Sequence, residues 1–407
     1  MHVVVIGAGA AGMMAAYAAA SQHATVILLE KNNKTGVKIL MSGGTRCNLT
    51  HHTDARGIAD AFGHAKRFLQ PSLGGFPPQA VVDFFEAAGV ATKIESTGKV
   101  FPVSNRAVQV RDALHGYAVD AGVEIRTGCG VTGIRPDGKR WMVDTGQAVI
   151  PTDRVIVTTG GKSWPGCGTT GDAYAWMTEL GHAVERTRPA LVPLLGGEQW
   201  MKDLSGLVVD DSIVTVLPVA GKQKSLARRR GSLLFTHFGF SGPAAMDVSG
   251  AITAATSLDQ VRMIADLVPQ SAEEELQAAF SNGRDSGKTR VSSLLATWLP
   301  NRLANGIVAQ LGQDARLAEL SKKSRNRLTN DLKRMPLPVR GTRGFEKAEV
   351  TAGGVRLDQV NPRTLESRIH KGLFIAGELL DVDGPIGGYN FQAAFSTGRA
   401  AGLSASV

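Results

Sequence analysis

The sequence predicts an α/β fold in which both ends of the chain build one parallel sheet and the middle supplies a β-rich insertion with a helical part. Three observations predict it. Residues 3–30 read VVVIGAGAAGMMAAYAAASQHATVILLE, a strand, a glycine turn, a helix, a strand and an acid in that order. Between about Leu191 and Val268 the pattern changes to short β-rich pieces, and over 271–335 it turns helical. From about Thr351 glycine returns, and a strand, an acidic loop, a double glycine and a helix pattern close the chain.

Each part of the opening unit has a physical task. Gly7 permits the sharp turn, Gly9 lets a pyrophosphate approach the backbone, and Gly12 lets the helix pack close to the strand. The helix N-terminus presents free N–H groups and the positive end of its dipole. Glu30, ending the second strand, is placed to accept hydrogen bonds from a ribose. Strand, helix and distal acid together predict a Rossmann-like dinucleotide site, FAD or NAD.

Further along, residues 78–89 read as a helix with Val81, Val82, Phe84 and Phe85 inward, and 106–121 as another. Val123–Arg126, Val131–Ile134 and Trp141–Val143 read as short strands, and Arg154–Val157 as a buried strand running into Gly160-Gly161. Leu207–Leu217 and Ser232–Thr236 are the clearest β pieces of the insertion. Helices are expected over Glu273–Phe280, Val291–Leu311 and Leu317–Arg334, with Pro336 and Pro338 ending that section. The expected domains are 1–190, 191–270, 271–336, a return through 337–350, and 351–407. Two more G-x-G-x-x-G matches occur. Gly128–Gly133 precedes a strand pattern and reads as a turn. Gly166–Gly171 precedes a helix, Asp172–Leu180, and is a candidate second nucleotide site, although Trp164 and Pro165 separate it from its strand.

At 407 residues the chain exceeds one small core, and a 43% hydrophobic share makes it globular. No apolar run is long enough to span a bilayer, and a strand starting at residue 3 leaves no room for a signal peptide. Cys47, Cys129 and Cys167 form no CxxC pair, which fits a reducing cytoplasm and no metal site. Between Arg284 and Lys347 stand fourteen Lys/Arg against five Asp/Glu, a surplus of nine that equals the +9 of the whole chain. One basic segment on a balanced body points to a polyanionic partner or to a merely basic helical surface.

The segment Gly372–Ala394 chooses between the cofactors. It runs from a strand ending in Gly377 through Glu378, Asp381 and Asp383 to Gly387-Gly388-Tyr389-Asn390-Phe391 and a helix. Its carboxylates suit a sugar-alcohol chain, and its helix N-terminus suits negative charge on a reduced ring. With the opening turn, this favours FAD over NAD.

The pieces GAGAAG, KILMSGGTRCN, VIVTTGG, PALVPL, LLFTHFGFSGPA, VTAGGV and IAGELLDVDGPIGGYNFQAAFSTG resemble the BaiN/RdsA family of flavoproteins from residue 3 to about residue 402, most weakly in the helical section. The resemblance implies a two-dinucleotide-type FAD domain interrupted by a β-barrel-like domain with a helical insertion. It carries the pyrophosphate role to Gly7, Gly9, Ala11 and Gly12, the ribose to Glu30, and cofactor contact to Arg46, Cys47, Asn48, Thr159, Gly160, Gly161, Asp381, Asp383, Gly388, Tyr389, Asn390 and Phe391. Ala10, Lys31, Val131, Gly377 and Glu378 are counted with the cofactor-binding residues, and Lys38 with Arg46 as partners of a phosphate or the pyrimidine edge. Where the family usually shows a third glycine, this chain has Thr45, a costly residue if the loop needs φ > 0 there.

A flavin carries hydride chemistry, and the protein supplies orientation and a proton. Reducing a C=C bond needs hydride from N5 and a proton on the neighbouring carbon. The candidate donors are Cys47 and His237. The family implies two substrate classes, a uracil in 23S ribosomal RNA or a bile-acid-type small molecule, with NAD(P)H as electron donor. Arg228, Arg229, Arg230, Lys322, Lys323, Arg325, Arg327, Lys333 and Arg334, with Arg340 and Arg343, favour the RNA through phosphate neutralisation.

Overall fold

The computed structural model describes residues 1–221, 224–282, 288–312 and 314–407. The chain divides into two compact units, Met1–Pro189 with Glu349–Val407, and Ala190–Ala348.

The first unit is built on a five-stranded parallel sheet, ordered Leu373–Ile375, Arg154–Val157, His2–Ile6, Thr25–Leu29, Glu124–Arg126. Val5 is level with Ile156 on one side and Leu28 on the other. All three are fully buried, as expected where helices cover both faces of a parallel sheet. The opening helix Ala10–Ala20 is rich in alanine because the last helix, Tyr389–Ala405, lies on it. A Cβ on Gly398 would stand 2.3 Å from the Ala11 carbonyl oxygen, and one on Gly402 2.2 Å from that of Ala15. Backbone thus meets backbone, and the two ends of the polypeptide are locked together.

Helices Pro78–Ala87 and Ala107–Asp120 form as read. Val81 and Phe85 are fully buried, whereas Val82 and Phe84 are half-buried. The strand expected at Val131–Ile134 begins at Gly133 and leads an antiparallel meander, Gly133–Asp137, Arg140–Asp144 and Val149–Thr152. A second small sheet joins Thr50–His51, Lys99–Pro102 and Thr92–Ile94. Val184–Ala190 pairs with Val350–Val355.

The second unit is an antiparallel sheet of seven strands, ordered Met335–Pro336, Val261–Asp266, Val208–Pro218, Ala227–Thr236, Gly239–Ser241, Leu194–Gly196, Val339–Thr342. Its two edge strands are separated by Leu337 and Pro338 alone. Leu337 N–H donates to Met263 O at 2.9 Å, and Gly197 N–H to Pro338 O at 2.8 Å. One extended stretch therefore bonds both edges and curls the sheet toward closure, which removes the open edges.

Three helical expectations change. Pro300 has no N–H to continue a helix, so Val291–Leu311 resolves into Val291–Leu295 and Asn301–Ala309. Ser321 accepts from Ser324 N–H at 3.1 Å and starts a new helix, Lys322–Lys333, after a short turn at Leu317–Glu319. Helix Pro243–Ala254, inside the β-rich stretch, was not expected. It buries Ala244, Ala245, Val248 and Ile252 in the core of the second unit.

Candidate functional site

The glycine turn is held from three sides. Gly7 has φ +95° and donates to Leu29 O at 2.8 Å. The Thr158 hydroxyl donates to the carbonyls of Ile6 and Gly7 at 2.9 and 3.0 Å. A Cβ on Gly12 would stand 1.8 Å from Gly7 O, so only glycine fits there. Gly9 differs: a Cβ there meets no protein atom within 4 Å. It precedes Ala10 and Ala11 at the helix N-terminus, and no side chain caps that end. Next to Thr158, Thr159 keeps a buried hydroxyl with no hydrogen-bond partner among the described residues. Open space at a bare helix N-terminus, with an orphan hydroxyl close by along the chain, fits a pyrophosphate.

Glu30 is buried, and its oxygens accept from Ala8 N–H and Asn32 N–H, both at 2.8 Å. One bond on each oxygen leaves lone pairs for ribose hydroxyls. Gly128 and Cys129 donate to the carbonyls of Asn32 and Glu30 at 2.9 Å, which brings the stretch leading to the half-buried Val131 alongside.

Two basic candidates are already occupied. Lys31 Nζ lies 2.6 Å from Thr170 Oγ1 and 2.7 Å from Asp172 Oδ2. Burial pushes the Asp172 carboxyl up, but the bonds from Lys31 and Thr170 outweigh it and hold it below its ordinary range. The same carboxylate sits in the first turn of helix Asp172–Glu179. The ion pair thus occupies the N-terminus of that helix with protein charges, which weakens the case for a second nucleotide site at the Gly166–Gly171 loop. Lys38 Nζ reaches Ser163 Oγ and Glu378 Oε2, both at 2.6 Å. Glu378 Oε1 in turn accepts from Ser163 Oγ at 2.8 Å and Thr351 N–H at 2.7 Å. Thr351 Oγ1 accepts from Lys162 N–H, and Gly161 leaves room for that side chain, since a Cβ on it would stand 2.3 Å from Thr351 Oγ1. Gly160 and Gly377 turn through φ +75° and +72° beside this network. Burial pushes the nearby Glu349 carboxyl up, against the pull of Lys38 and Trp164.

The 42–48 loop is left-handed at Gly43, Gly44, Thr45 and Cys47, with φ +55°, +66°, +69° and +58°. Thr45 therefore does occupy a position that favours glycine. Arg46 pairs with Glu95, donates to Asn105 and stacks its guanidinium 3.8 Å from the Phe101 ring centroid. Those contacts commit it to the protein. Cys47 is 0% exposed; burial pushes its thiol up to about 12 despite a bond with Ser42. A neutral thiol without accessible surface cannot reach a substrate, so the donor role expected for Cys47 is withdrawn.

Asn48 joins this loop to the other end of the chain. With its amide oxygen assigned toward Gly388 N–H at 2.9 Å, the orientation its three neighbours require, the amide N–H₂ donates to Val100 O and Thr50 O. Gly388, at φ +93°, presses against Thr50, where a Cβ would come within 2.4 Å. His51 stacks on Tyr389 at 4.8 Å, and Thr50 Oγ1 donates to Gln392 at 2.6 Å. Asn390 clamps the acidic loop, accepting from Gly384 N–H at 2.8 Å and donating to Gly384 O at 2.9 Å. Phe391 tilts against Phe395. Asp381 takes His64, and burial pushes the carboxyl of the half-buried Asp383 up. His51, His64, Ser163, Thr351 and Gln392 were not foreseen. Thr351 and Gln392 stand inside the quoted motifs; the others carry no local signal.

In the second unit His237 is exposed at a turn, its ring edge-on to Phe238, which Arg343 covers at 4.7 Å. The basic residues divide. Lys333 is 12% exposed, bonds Asp266 at 2.7 Å and donates to the carbonyls of Val268 and Ser271. It is a structural cation, and its expected phosphate role is withdrawn. Arg230 makes a two-pronged pair with Asp211 at 2.7 Å, Arg334 pairs with Glu273, and Arg327 and Arg229 lie near Asp331 and Asp247. Arg325 donates to Leu320 O. Lys322, Lys323 and Arg228 are exposed and make no ion pair among the described residues. Arg284 lies outside the described residues. Among those residues no group of three His, Cys, Asp or Glu is placed for a metal, and no helix is long and apolar enough to cross a membrane.

Known proteins resemble this chain over nearly all of its length. The 3-dehydro-bile acid delta(4,6)-reductase of Clostridium scindens is 32% identical over 410 residues, 99% of this chain and 98% of that one. The ribosomal RNA dihydrouridine synthase of Escherichia coli is 31% identical over 398 residues, 97% and 95% of the two chains. Among solved structures, the 3-ketosteroid-delta4-(5alpha)-dehydrogenase of Rhodococcus jostii RHA1 covers 100% of this chain and 96% of its own, with a TM-score of 0.50 and 16% identity, a likeness of fold. The family described as HI0933-like protein Rossmann domain matches residues 1–404. The chain therefore belongs to the HI0933-like Rossmann family and, within it, to the BaiN/RdsA-type FAD-dependent oxidoreductases.

Proposed function

We propose that this protein reduces a C=C bond of a uracil in 23S ribosomal RNA, with NAD(P)H as electron donor. The observation that carries the RNA reading is the basic surplus confined to 284–347, of which Lys322 and Lys323 stand exposed on the first turn of their helix without an ion pair among the described residues. A small substrate with at most one carboxylate, such as a bile acid, leaves most of that charge unexplained. The Escherichia coli relative, named a ribosomal RNA dihydrouridine synthase, supports the same reading.

FAD, when bound, would supply the hydride. The N-terminal N–H groups behind Gly9 would hold its pyrophosphate and Glu30 its ribose, and the Asn48–Gly388 bond keeps the start of the last helix in place beside the 42–48 loop. The Lys38–Glu378–Ser163–Thr351 network fixes the strand ends that flank the site. The RNA docks by backbone charge, and the target base leaves its stack to be reached. His237 stays a candidate proton donor.

The test is mass spectrometry of ribosomal RNA from cells with and without the gene. One uridine that lacks its two added hydrogens in the deleted strain supports the proposal, and identical RNA refutes it. The Clostridium scindens relative favours a second reading, reduction of a 3-dehydro-bile-acid-type small molecule. Turnover of such a compound without RNA would replace the first reading with it.

A further inference from the structure

The FAD site, on which this inference rests, leaves one motif of the sequence without a task, the Gly166–Gly171 loop. We propose that residues 159–172 form a strap across the dinucleotide site, fastened by Lys31 and Asn32, which opens for FAD to enter or leave.

The sheet order sets the path of the strap. Arg154–Val157, His2–Ile6 and Thr25–Leu29 are neighbours in that order and run parallel. The strap leaves the first of these strands and is fastened to residues just beyond the third. It therefore crosses the carboxyl end of the middle strand, where the Gly7–Gly9 turn lies. That edge of an open parallel sheet is where a nucleotide is received.

Each contact along the strap is short. Its start is anchored, because Lys162 N–H and Ser163 N–H both donate to Thr351 Oγ1, at 2.8 and 3.1 Å. The chain then doubles back. The buried Thr169 returns against Gly160, where a Cβ would stand 3.0 Å from Thr169 Cγ2. On the far side Asn32 Nδ2 donates to Cys167 O at 3.1 Å, and Lys31 Nζ donates to Thr170 Oγ1 at 2.6 Å. Asp172 Oδ2, 2.7 Å from the same ammonium, aims it at Thr170. The glycines follow from this packing. Gly168 is left-handed at φ +88°, and a Cβ on it would stand 2.6 Å from Asn32 Nδ2. Gly171 is left-handed at φ +80°, and a Cβ on it would stand 2.7 Å from Lys162 Cγ. The spacing that looks like a second phosphate loop thus serves close approach to Asn32 and Lys162.

The fastening adjoins the groups that receive the cofactor. Asn32, which ties the strap through its side chain, donates its own N–H to Glu30 Oε1 at 2.8 Å, while Ala8 N–H in the glycine turn holds Glu30 Oε2. A pyrophosphate at Gly9 and a ribose at Glu30 span the same two places that the strap joins. The fastening also releases readily. Lys31 and Asp172 are 36% and 47% exposed, so salt reaches the pair, which restrains the loop without locking it. Helix Asp172–Glu179 buries Ala173, Tyr174, Trp176 and Met177 and stays fixed, which leaves the span between Ser163 and Asp172 as the part that moves.

The experiment uses the full chain with FAD and no substrate, so it is independent of the uracil reading. Release is followed by the rise of flavin fluorescence on dilution, and uptake by its quenching in stopped flow. Lys31→Met and Asn32→Ala are each expected to quicken both rates by about threefold to tenfold, so that Kd moves less than either rate. Lys31→Arg should stay close to wild type. Lys31→Met with Thr170→Val should be no faster than Lys31→Met alone, because the two changes remove one shared bond. Sodium chloride screens the Lys31–Asp172 pair in the wild type itself and is expected to quicken both rates there. Rates that neither the variants nor salt move overturn the strap, as does faster release with uptake unchanged or slower, which would make Lys31 and Asn32 mere holders of the cofactor or of the fold. A wild type that takes up no FAD refutes the cofactor site and the strap with it.

Discussion

Thr45→Gly tests whether the 42–48 loop stores strain. Thr45 sits at φ +69°, where a β-branched side chain crowds its own backbone. Holding an L-residue there costs about 1–2 kcal/mol. Glycine removes that cost but adds about 0.5–1 kcal/mol of unfolded-chain entropy. The Thr45 hydroxyl bond to Gly44 O at 2.6 Å is exposed, and its loss matters little. The backbone bond from Ala107 N–H to Thr45 O, 2.9 Å, survives the change. The net gain is about 0.5–1 kcal/mol, which at a slope near 2 kcal/mol/M moves a urea midpoint up by roughly 0.3–0.5 M. The assay is urea unfolding of the FAD-free protein, with the transition of the first unit followed through Trp141, Trp164 and Trp176 fluorescence. Thr45→Ala is the control, because it keeps a Cβ in the same strained region and should stay close to wild type. A Thr45→Gly midpoint at or below wild type, or an equal gain in Thr45→Ala, refutes the argument.

Gly9→Ala and Gly12→Ala separate binding from folding. The first adds a Cβ into open space and is expected to leave circular dichroism intact while flavin absorbance is lost; the second drives a Cβ into Gly7 O and should lose both. Lys333→Ala leaves Asp266 without its buried partner and is expected to destabilise the second unit by about 3 kcal/mol, read by thermal unfolding, whereas Lys322→Ala with Lys323→Ala should leave stability alone and weaken RNA binding with a shallower salt dependence. His182 is 2% exposed, and burial with the neighbouring His370 lowers its pKa. The folded chain therefore binds that proton less readily than the unfolded chain. Stability is retained above pH 6.5 and falls as pH drops through it, and His182→Gln should flatten this loss in unfolding midpoints taken across that range. Cys47 should resist iodoacetamide in the native protein while the partly exposed Cys129 and Cys167 react; rapid labelling of Cys47 by mass spectrometry would contradict its burial.

Local pattern was enough to read the parallel sheet, the glycine turn and the acidic final segment, because period, turn chemistry and spacing act over a few residues. Thr45 stood out only through the resemblance, at a place where the family usually shows glycine, and its φ of +69° accounts for that preference. Side-chain commitments were not legible. Lys38 meets Glu378 across 340 residues of chain, and nothing near either residue announces the other. Lys333 and Lys322 look alike in sequence, yet one is sealed against Asp266 and the other faces water. Composition and local spacing by themselves determined the fold class and where the dinucleotide turn lies. Tertiary structure alone decided which charges remain open to a partner, that Cys47 is sealed in the core, and that His64 meets Asp381, because burial and pairing depend on what the rest of the chain packs against each group.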